Sequence, residues 1–490
     1  MFYKGKIMEN NTKSAMHSDK MREKSVGKLL FEMSIPAILS MLVHALYNIV
    51  DSVFVSNVTK TYAPYFGVLE KLGDDSFQAV SIAFPMTMLV VAVALGVGVG
   101  ANAYVARKLG EGQTEKANQA AKTAIIMGVI AWLIMLVLAF TVVKPFVSAF
   151  VNAENSSDTA YVAEQGSLYL CIYMAASLGG IIEIVCERLL QSTGNMKMPM
   201  ISQLTGAIIN IVLDALFILV FNWGVLGAIL ATVIGQWAAA GLAMFFLLFK
   251  KQDISISLKG YKPKKEYFLH ILKTGTPAFV MNAMGSFITI ILNTLLKEGT
   301  GIFVLSAYFK MQSFIFMPVF GLMQGLMPIL SYNYGANLKQ RFNRALKLGY
   351  IISLCIMAFG TVLFLTLPNF IMSVFTSDAQ IISDGAYAFR IICICFIPAA
   401  ISIVTINMLQ AINRPFSSLL MSLCRQIIIL IPSAFILFFL FGQGGIWFCY
   451  PIAEVLAVCA FIPVAIIAYK KQFAYKQEQY EKGLIKAENN

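Results

Sequence analysis

Long apolar stretches alternate with short polar connections over most of this 490-residue chain. A helix that crosses the hydrocarbon core of a bilayer needs about 20 predominantly apolar residues. The stretches here are long and continuous, whereas strands of a membrane barrel have about ten residues and alternate in polarity. The pattern therefore predicts twelve transmembrane helices, over residues 29–56, 77–103, 119–148, 161–186, 199–221, 225–249, 268–296, 301–331, 346–374, 386–411, 417–441 and 445–469.

The composition excludes several soluble classes of protein. Hydrophobic residues make up 58% of the chain and charged residues 13%, against about 45–50% and about 25% in soluble domains. A disordered chain, a disulfide-stapled scaffold and a soluble nucleic-acid-binding protein are excluded. The formal net charge of +12 lies in the connections between apolar stretches. It therefore indicates orientation in a membrane rather than a nucleic-acid partner.

The basic residues lie mainly on one side of the predicted membrane. Lys and Arg are frequent in the first 28 residues, in the connections after the even-numbered helices, and after residue 469. The opposite connections contain only Lys60, Lys71, Lys144 and Lys297. By the positive-inside rule, we expect a multi-pass protein of the cell membrane with both termini in the cytoplasm.

The two halves of the chain share an internal repeat. The matching residues are Gly96 with Gly321, Gly100 with Gly325 and Gly110 with Gly335, all at an offset of 225, and Leu190-Gln191 with Leu409-Gln410, at an offset of 219. Six helices in each copy give both copies the same orientation, so the pseudo-twofold axis lies along the membrane normal. We predict an all-α integral membrane fold of twelve transmembrane helices in two six-helix lobes. The predicted tail, N-lobe, basic linker, C-lobe and second tail cover residues 1–28, 29–250, 251–265, 266–470 and 471–490.

A few polar residues lie inside the predicted spans, where ionisable groups are costly and usually functional. Asn210 and Asp214 are four residues apart on the fifth span and so share one helix face. Asp51 of the first span and Thr232 of the sixth add oxygen ligands if the three helices converge. Hard cations prefer such ligands, and two close carboxylates also favour a bound proton. We predict that these four residues bind a coupling ion, Na⁺ or H⁺; the structural alternative is that each carboxylate makes an interhelical hydrogen bond.

The second copy of the repeat lacks this acidic cluster. The positions that match Asn210, Asp214 and Thr232 fall near Leu430, Ala434 and Ile452. The asymmetry places the predicted ion site in the N-lobe. In the C-lobe, Lys310, Arg425 and Glu454 are predicted to form a structural pair or triad.

Other residues that carry chemistry indicate structure rather than a reactive site. The eight cysteines lie in apolar stretches without a CxxC pair, and the three histidines are scattered, so no metal centre is expected. Glu183 lies close to Arg188, and we expect it to pair or to snorkel. Pro36 lies near the start of the first span, where it can bend the helix.

The ordered set of motifs resembles the multidrug and toxic compound extrusion (MATE) transporters. The resemblance covers residues 29–470 and is closest to the prokaryotic branch related to the DNA-damage-inducible F proteins. The order of the motifs carries it, since no single motif is decisive. The residues concerned are Pro36 with Tyr47-Asn48-Ile49-Val50-Asp51, Gly96 to Gly100-Ala101 with Leu109-Gly110, Leu190 to Asn195 with Pro199, Asn210 to Asp214, Gly227-Ala228 with Thr232, Pro328 with Asn333-Tyr334-Gly335-Ala336, and Gly444-Gly445-Ile446-Trp447 with Pro451.

The resemblance implies an exporter of organic cations that is driven by inward movement of Na⁺ or H⁺. The N-lobe cation network of that branch maps onto Asp51, Asn210, Asp214 and Thr232. Tyr47 and Tyr169 match neighbouring cavity positions, and Pro36 matches the proline at which the family's first helix bends. The implied partners are small organic cations and membrane lipid, with no cofactor beyond the coupling ion and one chain acting as a monomer. The stretch 57–76 is longer than is usual in the family.

Two alternatives belong to other functional classes. A lipid-linked oligosaccharide flippase of the same superfamily would need a cationic cavity to hold a diphosphate, and Lys310, Arg390 and Arg425 are its only candidates. An integral membrane enzyme would need a nucleophile with its base, or a metal cluster. No GxSxG or HExxH motif is present in the sequence, which argues against an enzyme.

Overall fold

The computed structural model describes residues 21–56, 72–151, 159–257, 261–296, 300–376 and 378–481. All regular elements in these ranges are helical, as expected where backbone groups in lipid must be satisfied within each segment. The first 20 residues and most of the stretch 57–76 lie outside the described residues. The side chains of Tyr47 and Asp51 also lie outside the description, although their backbone belongs to a described helix.

Eight α-helices form the N-terminal half of the described chain. They are α1 (Val26–Ser56), α2 (Leu72–Gly110), α3 (Thr114–Thr141), α4 (Val143–Phe150), α5 (Thr159–Ala176), α6 (Leu178–Ser192), α7 (Lys197–Asp214) and α8 (Gly224–Phe249). An extended segment then leads to the second half.

Nine α-helices form the C-terminal half of the described chain. They are α9 (Lys265–Leu295), α10 (Gly301–Gly335), α11 (Lys339–Thr366), α12 (Pro368–Ser373), α13 (Ala379–Ile392), α14 (Phe396–Ala411), α15 (Pro415–Leu423), α16 (Leu430–Ile446) and α17 (Cys449–Glu481).

Ten helical segments of the described chain are long and apolar enough to cross a membrane. The pair α5 and α6 adds an eleventh, bent by 47°. At the bend, the Ser177 hydroxyl donates to the Met174 carbonyl oxygen at 2.7 Å, a local bond of the kind that bends helices. The chain is therefore a multi-pass helical membrane protein, and the count of twelve stays a prediction.

Two spans contain a π-helical segment beside a polar residue. Residues Ala215–Val220 follow Asp214 directly at the end of α7. Residues Cys424–Ile429 contain Arg425 and join α15 to α16. Segments of this kind are frequent at functional sites, because they reorient the side chains around them.

The last helix extends through much of the segment predicted as a C-terminal tail. α17 continues from the predicted membrane span to Glu481. Residues 470–481 contain no Gly or Pro and are rich in Lys, Gln and Glu, which are good helix formers. Phe473 and Lys476 in this extension are buried, so it packs on the protein.

The repeated glycines form the closest contacts between the two halves. A Cβ added to Gly100 on α2 would overlap the Ile271 carbonyl oxygen on α9, and one added to Gly275 on α9 would overlap the Gly96 carbonyl oxygen. In the matching contact, Gly321 and Gly325 on α10 lie against the backbone of α1. Small residues at these positions let the helix backbones touch, which is how apolar helices associate tightly in lipid.

A second reciprocal contact joins α2 to α10. A Cβ at Gly110 would overlap the Tyr332 carbonyl oxygen, and a Cβ at Gly335 would overlap the Arg107 carbonyl oxygen. The three glycine pairs of the sequence repeat therefore all lie at the interface between the halves. We call the end of the bundle that contains Gly110 and Gly335 the basic end, after the Lys and Arg residues beside these glycines.

Replacing Gly100 by Ala is expected to destabilise the protein by at least about 1–3 kcal/mol, because the new methyl group must displace helix backbone. Gly241→Ala on α8 is the matched control, since nothing lies within 4 Å of a Cβ there and alanine favours a helix by about 1 kcal/mol. Thermal unfolding of the two purified variants in detergent measures the difference. An unchanged Tm for Gly100→Ala would contradict the close packing.

Candidate functional site

Three of the four predicted ion ligands lie on neighbouring helices of the N-terminal half. Asp214 at the end of α7 is fully buried and Asn210, one turn earlier, is 4% exposed. The Asn210 Nδ2 donates to Thr232 Oγ1 on α8 at 3.4 Å. The structure thus brings Asn210 and Thr232 together, with Asp214 on the same face of α7 as Asn210.

Close packing of α7 on α8 sets this geometry. A Cβ on Gly235 would lie 2.8 Å from the Gly206 carbonyl oxygen and 3.1 Å from the Asn210 Cβ. The two glycines therefore bring the polar faces of both helices within hydrogen-bonding reach. Gly206 and Gly235 therefore contribute to the site by close helix packing, a role that the sequence motifs do not indicate.

The helix that carries Asp51 reaches the same place. α1 packs against α7, and Val55, one turn after Asp51, shares a buried cluster with Ile218 and Ala228. Spans one, five and six therefore converge, as the prediction requires. The Asp51 side chain itself lies outside the described residues, so its part in the site stays a prediction.

The site contains an acceptor that no described residue uses. Asn210 Oδ1 is buried and has no hydrogen-bond partner in the described part of the chain. A buried polar atom without a partner is costly, and an oxygen atom beside a buried carboxylate is a suitable cation ligand. The donor set of amide, carboxylate and hydroxyl oxygens fits Na⁺ as well as a proton held on Asp214.

Two of the remaining N-terminal candidates, Pro36 and Tyr169, have described side chains. Pro36 is buried within α1, which continues through it without a break. Tyr169 on α5 is 6% exposed and shares an apolar cluster with Ile229, three residues before Thr232. The Tyr47 side chain lies outside the described residues.

In the C-terminal half, two members of the predicted pair or triad are in contact. Arg425 Nη1 lies 3.3 Å from Glu454 Oε1, and the Ser402 hydroxyl donates to Glu454 Oε2 at 3.2 Å. Lys310 is exposed on α10 and makes no ion pair with a described carboxylate. Of the two predicted arrangements, the described chain therefore shows the pair, without an ion pair from Lys310.

Comparisons with known proteins agree with this architecture. The MatE family model matches residues 66–216 and 277–436. The chain belongs to the MatE family. Members of this family are secondary transporters, so the protein is a transporter rather than an enzyme.

Individual relatives match over almost their whole length. The multidrug export protein MepA of Staphylococcus aureus (strain bovine RF122 / ET3-1) is 27% identical over 457 residues, which cover 91% of this chain and 94% of that protein. A structure of the outward-facing conformation of a multidrug resistance MATE family transporter has a TM-score of 0.82 at 21% identity, covering 94% of this chain and 98% of that one. A MATE structure in the bent conformation has a TM-score of 0.84 at 22% identity, with 94% and 99% coverage. These structural similarities show the fold; the narrower branch assignment stays a prediction.

Sequence reasoning missed an ion network that joins the halves of this MatE transporter at its basic end. Glu111 follows α2, and its carboxylate contacts Lys108 Nζ at 2.7 Å and Lys476 Nζ of α17 at 2.5 Å. Burial alone would raise the pKa of Glu111, but Lys476 and Lys108 outweigh burial and lower this pKa below its ordinary value. Only the extension of α17 brings Lys476 to Glu111, and local periodicity gives no signal for that contact.

A reciprocal contact ties the start of the chain to the other half. Arg341 of α11 donates from Nη2 to the carbonyl oxygens of Met21 at 2.9 Å and Lys24 at 2.7 Å. Met21 in turn packs on Gly194 of the N-terminal half, where a Cβ would lie 2.9 Å from the Met21 Cε. Each end of the described chain therefore makes hydrogen bonds to the opposite half of the protein.

Lys476→Gln is expected to lower stability at neutral pH by about 1–3 kcal/mol, since it removes one partner of a buried carboxylate. The lowered pKa of Glu111 means that its ionised form stabilises the protein above the ordinary glutamate pKa, and that this contribution is lost as the pH falls through the folded-state pKa. The difference in Tm between variant and wild type should therefore disappear in acid. Lys471→Gln, an exposed position on the same helix, is the control; an equal effect of both changes would contradict the assigned contact.

Proposed function

We propose that this protein is a cation-coupled multidrug antiporter that exports organic, mostly cationic amphipathic compounds by alternating access. The observation that carries the proposal is the buried site of Asn210, Asp214 and Thr232, on which α1 converges. Relatives that are named multidrug export proteins support the substrate class.

The coupling ion is Na⁺ or H⁺ bound at Asp214. A carboxylate that is fully removed from water requires a counter-charge or a proton, because an isolated buried charge is very costly. Asn210 Oδ1, which no described residue engages, and the Thr232 hydroxyl complete an oxygen environment for either ion. Asp51 on α1 would add a second carboxylate.

Alternating access would separate the two halves as lobes, six spans in each. The described glycine contacts between the halves and the Glu111 network lie toward the basic end, which the positive-inside rule assigns to the cytoplasm together with both termini. This arrangement corresponds to a state closed toward the cytoplasm. Binding of the ion shifts the equilibrium only if its affinity differs between the two states.

The flippase alternative is less well supported. A lipid diphosphate would require free cationic groups around the cavity. Arg425 is buried and neutralised by Glu454 at 3.3 Å, which leaves Lys310 and Arg390 as exposed but isolated cations. The acidic site in the N-terminal half also favours a cation over a diphosphate.

Asp214→Asn is expected to abolish gradient-driven transport, because it removes the only described carboxylate of the ion site. Purified protein in liposomes would be given a Na⁺ gradient or a pH gradient separately, and movement of a fluorescent lipophilic cation would be followed. The gradient that drives the wild type identifies the coupling ion.

Glu164→Gln provides the matched control, since this carboxylate on α5 is exposed and also changes from acid to amide. It should transport like the wild type. If folded wild-type protein moves the cation under neither gradient, the multidrug proposal fails, and transport of a labelled lipid diphosphate becomes the next assay.

A further inference from the structure

α6 carries a second group of buried charges, outside the proposed ion site. Glu183 and Glu187 are four residues apart and share one face of the helix. Glu187 and Arg188 are each 8% exposed, and Glu183 is half-buried. Arg188 lies against α2, where a Cβ on Gly98 would come within 2.8 Å of the Arg188 Cγ.

The charges of this group do not balance if every member is ionised. Two carboxylates and one guanidinium leave one uncompensated negative charge in an apolar interior, which is costly. The titratable groups that interact electrostatically with the pair, in the described part of the chain, are Arg188, Tyr173 of α5 and Cys186. α8 contributes only the neutral amide of Gln236, beside Gly180, and α3 contributes Gly128.

The geometry indicates which carboxyl is neutral. Arg188 follows Glu187 on α6, where consecutive side chains point in different directions, and no ion pair joins them among the described residues. Arg188 instead donates from Nη1 to the neutral Gln191 Oε1 at 2.9 Å. Glu187 Oε1 and Arg188 Nε are both buried without a hydrogen-bond partner in the described chain. A carboxyl oxygen that is buried without a donor is much costlier when the group is ionised than when it is protonated, so this arrangement corresponds to a neutral Glu187.

The same arginine is connected to the interface between the halves. Gln191 accepts from Arg188 and donates from Nε2 to Gln324 Oε1 on α10 at 3.1 Å. Gln324 is next to Gly325, which lies against α1. Any change in the partner of Arg188 therefore acts on a hydrogen bond that crosses from one half to the other.

We propose that Glu187, with Glu183 as its route to water, binds a second proton that holds the basic end closed. Loss of the proton from the Glu187 carboxyl, through Glu183 to water, leaves a carboxylate that draws Arg188 away from Gln191. Gln191 then loses the arginine that orients it toward Gln324, and the contact between the halves weakens. This inference rests on the proposed alternating access but not on the Asp214 site.

The test measures the distance between spin labels at Lys116 on α3 and Arg344 on α11, which are exposed near the basic end on opposite halves. The full-length protein in liposomes would have Cys171, Cys355, Cys424 and Cys459, the native thiols that are not buried, replaced by Ala. With Glu187 present, the distance should increase as the pH is raised. With Glu187→Gln, which is permanently neutral, it should stay short at every pH.

Glu183→Gln separates a proton site from a merely structural role. Removing the like charge beside Glu187 should move the midpoint of the distance change to lower pH without removing the change. A structural glutamate would leave the midpoint where it is, and that outcome would overturn the proposal. So would a wild-type distance that does not respond to pH, or a Glu187→Gln variant that responds like the wild type.

Asp214→Asn distinguishes this inference from the proposed function. It should lose gradient-driven transport while keeping the pH-dependent distance change. If Asp214→Asn transports normally but Glu187→Gln abolishes the distance change, the proposed ion site fails and the second proton site stands. If Asp214→Asn itself abolishes the distance change, the proton acts at Asp214 and the Glu187 proposal is overturned.

Discussion

Direct contact of helix backbones between the two halves is the constraint on which the rest of this structure depends. In lipid, apolar side chains gain nothing from meeting each other rather than lipid tails, so helices associate through close packing and hydrogen bonds. Glycine at positions 100 and 275 permits an approach of the backbones that any side chain would block. The Gln191–Gln324 bond and the Glu111 network form only because this approach brings their helices together.

The two halves have similar helices but treat buried charge differently. In the N-terminal half, Asp214 is buried beside an amide oxygen that no described residue engages. In the C-terminal half, the buried charge of Glu454 is neutralised by Arg425 and bonded by Ser402. A neutralised pair has little reason to recruit an ion from water, because its charges already balance. The asymmetry supports the proposed ion site in the N-terminal half.

Several contacts at the basic end are polar, which would suit the opening that the proposed alternating access requires. Amide hydrogen bonds can exchange protein partners for water at modest net cost, while the glycine contacts determine how closely the helices of the two halves approach. The carboxyl end of α17 and the residues around Met21 are each hydrogen-bonded to the opposite half. Under the proposed alternating access, separation of the halves would release both ends of the chain together, which would make opening and closing cooperative.

Local sequence determines much of this architecture. The apolar runs specify membrane helices because backbone groups in lipid require internal hydrogen bonds, and the repeated glycines mark the interface between the halves. The four-residue spacing of Asn210 and Asp214 determines that they share a helix face. Only the tertiary structure decided which polar side chains meet. Lys476 contacts Glu111, 365 residues away in the chain. Lys310 makes no described ion pair with Glu454, and Arg188 donates to Gln191 rather than to Glu187. Periodicity determines which face of a helix is polar, but the charge that lies opposite depends on distances between helices remote in the chain.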